Sequence, residues 1–516
     1  MYDVVIVGGG SAGCVLAARL SEDPSTRVLL LEAGPEKASK EVRIPAAFPK
    51  LFKTDRDWNY ETEPQPGLDG RRVFTPRGRM LGGCSAMNAM MQIPGHRQDQ
   101  EDWVAEGAEG WGPRELAPYR ERAHRAQSPR FPRSLNPLSQ AFLEAAQQDG
   151  LPLSGPLTSD EPDGVAVTPL AQRRGMRRTA ADAYLTPARE RPNLEVRCGV
   201  VVDRVLFEGR RATGVAFTDA AGAAHTANAA REVILSAGAL NTPQVLMRSG
   251  VGPADHLAEL DIDVVLDSPQ VGEHLQDHLV ALVTAATPTP TSLFAAEKPA
   301  ELVRFLARRT GMLTSNVGEI AAFARSDDGL AAPDYELIFA PVLFEGEGLV
   351  DAEEHGISVG VVLLRPESRG RVRLASRDAR VAPIVDPNYF GDPDGHDMRV
   401  MVAGVRRARE ILRRPAFAQH LGRERFPGSQ LQTDEEIASG VRKIAHTLYH
   451  PVGTCRIGGG GQGVVDSELR VQGLDALRIV DASVLPSLPR GHTHGTVQAV
   501  AERAADLIRG RVAASV

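Results

Sequence analysis

Hydrophobic positions near the N-terminus form two continuous runs instead of an alternating pattern. The first run, residues 4–7, is followed by the glycine-rich stretch 8–13 (GGGSAG) and then by small and apolar residues as far as Leu20. The second run, residues 28–31, ends at Glu32. Continuous apolar runs of this length are typical of parallel strands that are buried on both faces. The order therefore predicts a strand, a helix and a second strand in a βαβ unit.

Later patterns predict further strands and helices. Residues 35–135 are rich in Pro and Gly and predict long loops with short helices, and residues 284–312 predict a surface lid or an oligomer contact. A helix is expected to begin near Thr242 and Pro243, because proline is favoured in the first helical turn. The other predicted strands are 194–206, 212–217, 231–235 and 357–375, and the other predicted helices are 136–150, 302–309, 397–414, 434–445 and 497–508.

The glycines between the first two strands suggest the first chemical function. Gly8, Gly10 and Gly13 have the G-x-G-x-x-G spacing, and Glu32 follows Gly13 by 19 residues. Gly8 permits a tight turn, Gly10 lets the backbone approach a pyrophosphate, and Gly13 allows close contact between helix and strand. Glu32 can accept hydrogen bonds from ribose hydroxyls. The pattern predicts dinucleotide binding and leaves NAD and FAD open, although its position at the very start of the chain favours FAD.

Composition excludes several other classes of protein. The 516 residues carry a net charge of −7, which argues against nucleic-acid binding because that function usually requires a basic excess. The four cysteines form no CxxC pair, so neither a disulfide framework nor a cysteine-based zinc site is expected. We see no signal peptide and no membrane span, and we expect a cytoplasmic protein. His446 and His450 are four apart, but Pro451 would end a helix there, so no metal site is expected.

Two histidine-bearing segments near the C-terminus make the sequence more specific. They are residues 448–458 (LYHPVGTCRIG) and 477–496, which ends RGHTHGT. Together with 78–88 (GRMLGGCSAMN), 238–252 (GALNTPQVLMRSGVG) and 271–278 (VGEHLQDH), they show that the chain resembles the glucose–methanol–choline (GMC) oxidoreductases over essentially its whole length.

This resemblance implies a mixed α/β (α+β) fold. A Rossmann-like FAD-binding domain would be built from the discontinuous segments 1–155, 191–290 and 446–516. A substrate-binding domain with an antiparallel sheet and helices would consist of residues 156–190 and 291–445 and would cover the flavin ring.

The resemblance also implies the site residues. His450 falls at the family's catalytic histidine and is expected to be the base, with His492 as its partner, although the reverse assignment is possible. Met87 stands where some members attach FAD to histidine, so non-covalent FAD is expected. The residues expected to contact FAD are Gly8, Gly10, Ser11, Ala12, Gly13, Glu32, Ala33, Gly78, Leu81, Gly82, Gly83, Asn88, Ala89, Val202, Ala237, Gly238, Asp481, Ala482, His492 and Thr493.

The expected activity is the oxidation of a primary alcohol to a carbonyl compound, with hydride transfer to flavin N5 and proton transfer to histidine. His494 is a further candidate for the base. Glu319 could bind a cationic head group, but Arg365 stands where choline oxidases place a histidine, which disfavours choline. The alternatives are a non-redox relative, such as a hydroxynitrile lyase, and an NAD-dependent dehydrogenase. The electron acceptor stays open, and we expect a monomer or a homodimer.

Overall fold

Two seven-stranded sheets organise residues 1–459 and 461–511, which are the part of the chain that the computed structural model describes. The strands are β1 (Tyr2–Val7), β2 (Val28–Glu32), β3 (Tyr60–Glu61), β4 (Phe74–Thr75), β5 (Gly164–Val167), β6 (Gln172–Arg173), β7 (Met176–Arg177), β8 (Leu194–Cys198), β9 (Val201–Glu208), β10 (Arg211–Thr218), β11 (Ala224–Leu235), β12 (Val251–Gly252), β13 (Leu266–Asp267), β14 (Leu279–Ala286), β15 (Ile320–Ala324), β16 (Tyr335–Ala340), β17 (Gly356–Leu363), β18 (Arg371–Arg373), β19 (Ile384–Asp386), β20 (Glu424–Phe426), β21 (His446–Thr447) and β22 (Leu477–Ile479).

The helices of the described residues lie mostly between these strands in the sequence. They are α1 (Ser11–Leu20), α2 (Lys40–Arg43), α3 (Arg97–Ala105), α4 (Pro113–Gln127), α5 (Pro137–Gln148), α6 (Thr186–Ala188), α7 (Thr242–Arg248), α8 (Ala254–Glu259), α9 (Pro299–Arg308), α10 (His396–Leu412), α11 (Pro415–Ala418), α12 (Asp434–Ile444) and α13 (Thr493–Ile508). The long predicted helices are confirmed, with boundaries shifted by a few residues.

The first sheet confirms the predicted βαβ unit. Its order is β8-β2-β1-β11-β10-β9, and β22 pairs with β11; β8, β2, β1, β11 and β22 run parallel, whereas β9 and β10 are antiparallel. Strand β1 lies between β2 and β11, and its residues Val4, Val5 and Ile6 are completely buried. A central parallel strand has no solvent-facing side, which explains the continuous apolar run. Helix α1 follows β1 directly and packs against α13.

The second sheet is antiparallel, as the resemblance implied. Its order is β20-β14-β17-β16-β15-β5, and β21 also pairs with β14. Helix α10 packs on β14, β16 and β17, and α5, α11 and α12 pack around it. All eight residues of β17 are buried because the strand lies inside the sheet and beneath this helical layer. The mixed fold class is therefore confirmed.

The division of the chain into five segments stays a prediction, and four elements pack with the sheet of the other predicted domain. Helix α5 lies within 1–155 but contributes Leu138 and Phe142 to the core of the second sheet. The stretch that ends in α6 lies within 156–190 but packs Tyr184 and Leu185 into the core of the first sheet. Strands β14 and β21 pair within the second sheet although they belong to segments assigned to the FAD domain. Each element joins the core that its apolar face can reach, which the sequence order does not specify.

Two surface regions refine the sequence expectations. Residues 35–135 contain the 15-residue helix α4, which is longer than their Pro and Gly content predicted; Pro113 occupies its first turn, where proline is tolerated. Helix α9 lies in the predicted surface element 284–312 and exposes Leu302, Val303 and Leu306 to solvent. The interpretation of that element as a lid or an oligomer contact stays a prediction.

Candidate active site

The turn after β1 shows how the glycine motif is used. Gly8 has φ +101°, and a Cβ there would lie 2.5 Å from the carbonyl oxygen of Ser236. A Cβ on Gly13 would lie 1.9 Å from the carbonyl oxygen of Gly8. A Cβ on Gly10 would meet only the Cα of Gly83, at 3.9 Å. Gly8 and Gly13 are thus needed for the packing of strand and helix, whereas Gly10 leaves space that opens into a cavity.

Glu32 ends β2 at the wall of the same cavity. Its two carboxylate oxygens accept hydrogen bonds from the backbone N–H groups of Gly9 and Gly34, each at 2.8 Å. The side chain is 5% exposed, and burial raises the pKa of its carboxyl group to about 7. These two bonds hold the carboxylate in place and leave lone pairs for further donors, such as the hydroxyl groups of a ribose.

Most of the predicted FAD contacts line this one cavity. Gly13, Leu81 and Gly82 do not line it. Gly13 is packed against Gly8, and the backbone N–H of Gly82 donates to the carbonyl of Gly9 behind the surface. The predicted contacts that do line the cavity are Gly8, Gly10, Ser11, Ala12, Glu32, Ala33, Gly78, Gly83, Asn88, Ala89, Val202, Ala237, Gly238, Asp481, Ala482, His492 and Thr493.

Two helices begin at the cavity and suit a phosphate-bearing cofactor. Helix α1 begins at Ser11 and helix α13 at Thr493, and both residues line the cavity. Ser11 Oγ lies 2.9 Å from Nδ1 of His494, and Nε2 of His494 is buried with no hydrogen-bond partner among the described residues. Free backbone N–H groups at a helix start favour anions. The residues present therefore fit the pyrophosphate of a dinucleotide.

His450 and His492 meet at another part of the cavity, as predicted. Their ring centroids are 5.0 Å apart and their planes are inclined by 85°. Burial lowers the pKa of His450 well below its usual range, and the neighbouring His492, His278 and Arg77 lower it further. A neutral imidazole can accept a proton, so this environment suits a base near pH 7.

The buried carboxylate of Asp277 fixes the backbone that carries His450. The backbone N–H of His450 donates to Oδ1 of Asp277 at 2.7 Å, while the hydroxyl groups of Thr447 and Tyr389 donate to Oδ2. Asp277 lies in the segment 271–278, which resembles the family, and the sequence predicted no role for this residue. Its position before a second histidine, in a QDH triplet, was the available signal.

Glu336 is a second residue of the site for which the sequence predicted no role. Its Oε1 lies 3.2 Å from Nε2 of His492, and its Oε2 has no partner among the described residues. Glu336 is completely buried in the middle of the second sheet. The sequence signal for Glu336 was that it is the single acid within the otherwise uncharged strand β16. A buried acid normally needs a polar partner, so its presence there indicated one.

The wall of the cavity as a whole is mostly apolar. It includes Met90, Met91, Val280, Leu282, Ile338, Phe344 and Leu448. The acidic residues that line the cavity within the described ranges are Glu32 and Asp481, and both belong to the side of the first sheet. The buried Met87 also lines the cavity.

Glu319 and Arg365 lie away from this wall. The carboxylate of Glu319 accepts hydrogen bonds from the backbone N–H of Asn136 and from the hydroxyl groups of Ser139 and Ser315. The guanidinium group of Arg365 lies 3.3 Å from the carboxylate of Asp102. Neither side chain faces the cavity that holds His450.

The described residues hold neither a candidate metal cluster nor a helix of membrane-spanning length and hydrophobicity. His446 and His450, which the sequence placed four apart, hydrogen-bond to different groups: Nδ1 of His446 lies 2.8 Å from the carbonyl of Thr447, and Nδ1 of His450 lies 2.9 Å from His278.

Comparison with known proteins identifies the family. Models described as GMC oxidoreductase match residues 2–280 and 366–501, so the chain belongs to the GMC oxidoreductase family. It is 45% identical to an uncharacterised GMC-type oxidoreductase of Mycobacterium tuberculosis, over 98% of this chain and 99% of the relative. It is 39% identical to an alcohol dehydrogenase (acceptor) of Pseudomonas putida, over 99% and 96%.

A solved structure agrees with this assignment. The pyridoxine 4-oxidase from Mesorbium loti superposes with a TM-score of 0.89 at 33% identity, covering 99% of each chain. The chain is therefore an FAD-dependent enzyme that acts on the CH–OH group of donors. This result replaces the NAD-dependent dehydrogenase that the glycine motif alone had left open.

Proposed function

We propose that the enzyme oxidises a neutral primary alcohol to a carbonyl compound, with His450 as the base, His492 as its partner and FAD held non-covalently. The observation that carries the proposal is the pair of imidazoles, 5.0 Å apart, in the same cavity as the dinucleotide turn. FAD supplies the hydride acceptor, flavin N5, when it is bound.

The residues that would hold FAD are those of the first sheet and the two helix starts. Gly10 leaves room for the pyrophosphate, and the N-termini of α1 and α13 offer free N–H groups to it. Glu32 would accept hydrogen bonds from the ribose. Met87 lacks the imidazole nitrogen through which some family members bond to the flavin, which supports non-covalent binding.

Proton removal is assigned to His450. Its lowered pKa keeps the imidazole neutral at pH 7, so it can accept the hydroxyl proton of the alcohol. His492, held beside Glu336, provides a second polar group that would orient the hydroxyl. The surrounding apolar side chains exclude water, which strengthens these polar interactions.

The same wall supports a neutral alcohol over a cationic one. A carboxylate in the cavity wall would favour a cationic head group, but the acids that line the cavity within the described ranges, Glu32 and Asp481, belong to the side of the first sheet, and Glu336 does not line it. Glu319, the sequence candidate for this role, has its carboxylate satisfied by three donors outside the cavity. Apolar residues such as Met90, Met91 and Leu282 suit an alkyl or aryl group instead.

Anaerobic flavin bleaching tests the proposal. Alkyl and aryl primary alcohols of about the size of choline should reduce the flavin faster than choline does. His450→Ala should slow reduction by about 10²–10⁴-fold, because that is the usual contribution of a positioned base, and should leave the flavin bound. His492→Ala should also be slow, and the two losses should not add, because both groups act on one hydroxyl.

A matched control is His225→Ala, since His225 is an exposed histidine that pairs with Asp219, and neither residue lines the cavity. Its rate should equal that of the wild type. Flavin reduction at the wild-type rate in His450→Ala would refute the assignment of His450 as the base. Failure of every alcohol to bleach the flavin would instead favour a non-redox relative such as a hydroxynitrile lyase.

A further inference from the structure

A short hydrogen-bonded chain leads from the backbone to His450. Nε2 of His278 lies 3.2 Å from the carbonyl oxygen of Leu364, and Nδ1 of His278 lies 2.9 Å from Nδ1 of His450. Both His278 and Leu364 are completely buried. His450 lies in the loop after β21, His278 immediately precedes β14, and Leu364 immediately follows β17. Because β14 pairs with both β17 and β21, the second sheet sets the spacing of the three groups.

The first link determines where the proton of His278 lies. A carbonyl oxygen can only accept a hydrogen bond, so Nε2 of His278 must carry the hydrogen. Burial lowers the pKa of His278 to about 3, and His492 and Arg365 act in the same direction. The ring is therefore neutral at pH 7, and its Nδ1 is an acceptor.

The second link then determines the tautomer of His450. Two facing Nδ1 atoms need one hydrogen between them, and His278 has none to give. Nδ1 of His450 must supply it, because the hydrogen bond made by one ring nitrogen decides which nitrogen is protonated. The lone pair of the neutral His450 is left on Nε2.

We propose that His278 is a positioning residue that holds His450 in the Nδ1–H tautomer and so presents Nε2 as the base. This inference rests on the proposed function. When Nε2 accepts the alcohol proton, His450 becomes charged while its Nδ1–H still donates to His278. Hydrogen bonds from charged donors are stronger than neutral ones, so this contact also favours the proton transfer.

Two substitutions at His278 separate its hydrogen bond from its volume. His278→Leu removes the acceptor, whereas the amide oxygen of His278→Asn can occupy roughly the place of Nδ1 and still accept. We expect His278→Leu to slow anaerobic flavin reduction by about 10- to 100-fold, the value of a charge-assisted hydrogen bond. His278→Asn should stay within a few-fold of the wild type, and both variants should keep their flavin.

Nitrogen-15 spectra of histidine-labelled holoenzyme read the tautomer directly. The signal of His450 is the one lost in His450→Ala. We expect it to show Nδ1–H in the wild type and in His278→Asn, and to move towards Nε2–H in His278→Leu. An Nε2–H signal for His450 in the wild type would overturn the inference without any variant at position 278.

Equal rates of flavin reduction in His278→Leu and His278→Asn would also overturn the inference that His278 sets the tautomer of His450. The proposed function fails by a different result, which is rapid flavin reduction in His450→Ala. The two ideas are therefore tested separately, because the tautomer of His450 can be read whether or not His450 is the base.

Discussion

At the scale of single residues, the site depends on histidines that are kept neutral by their surroundings. Burial lowers the pKa of His278, His446 and His494 to about 3, 4 and 4, and places that of His450 well below its usual range. Among the described residues no carboxylate hydrogen-bonds to the imidazole of His450, and Asp277 binds its backbone N–H instead. The four rings therefore act as neutral donors and acceptors at pH 7.

The pH dependence of the reductive step follows from the pKa of His450. The base must be neutral, so kcat/KM should rise as the pH rises through its pKa and stay level above it. An unperturbed histidine titrates near ~6.5, and His450 lies well below that value. We expect one rising limb on the acid side of ~6.5 and a plateau at neutral pH, measured by stopped-flow flavin reduction.

The limb should disappear in His450→Ala and persist in the control His225→Ala. A limb that remains unchanged in His450→Ala would assign it to another group, with His492 and then His494 as the next candidates.

At the scale of elements, the β1–α1 turn separates folding from cofactor binding. The methyl group of an alanine at Gly13 would press on the carbonyl of Gly8, whereas one at Gly10 would point into the cavity. Neighbouring positions of one motif therefore serve different purposes. The motif spacing predicted this division; the close contact at Gly13 is confirmed, and the role of Gly10 towards a pyrophosphate stays a prediction.

Gly10→Ala and Gly13→Ala form a matched pair that tests this division. We expect Gly10→Ala to fold with unchanged thermal stability as apoprotein but to purify with little flavin, because its methyl group would enter the space that we assign to the pyrophosphate. Gly13→Ala should lose about 1–3 kcal/mol of unfolding free energy through overpacking. Flavin absorbance measures the first effect, and thermal unfolding of the apoproteins measures the second. A Gly10→Ala protein that purifies with a full complement of bound flavin would contradict the assignment.

At the scale of the whole molecule, the cofactor cavity lies between the two sheets. Its lining includes Gly8 and Glu32 from the first sheet and Val280 and Ile338 from the second, with residues of the surrounding loops between them. Each sheet has a large core of its own. A ligand that fills the cavity contacts both, so its binding should stabilise the assembled fold.

Release and reconstitution of the flavin test this expectation together with non-covalent binding. Acid precipitation should leave all the flavin in the supernatant. Titration of the apoprotein with FAD should raise Tm in a saturable way, with about 2.7 kcal/mol of stabilisation at a hundredfold excess over Kd. Gly10→Ala should show little rise, and flavin retained in the acid pellet would contradict the role given to Met87.

The sequence by itself determined the features that depend on neighbouring residues. Continuous apolar runs required a buried parallel strand on each side of α1, and the spacing of Gly8, Gly10 and Gly13 predicted the turn between them. Glu32 was found because it ends the second of these strands. His450 and His492 were found through the family motifs that contain them, and the structure brings both into one cavity.

Only the tertiary structure decided which distant residues act on these groups. His278 and Asp277 lie more than 170 positions before His450, and Glu336 lies 156 positions before His492. Strand β14 and helix α5 joined the second sheet although the chain order placed them with the first. Such contacts arise because apolar faces pack wherever they can be buried, and buried polar groups then pair with whatever partner the packing supplies. The local sequence marks Asp277 and Glu336 as unusual, but it does not specify the partner that either residue meets.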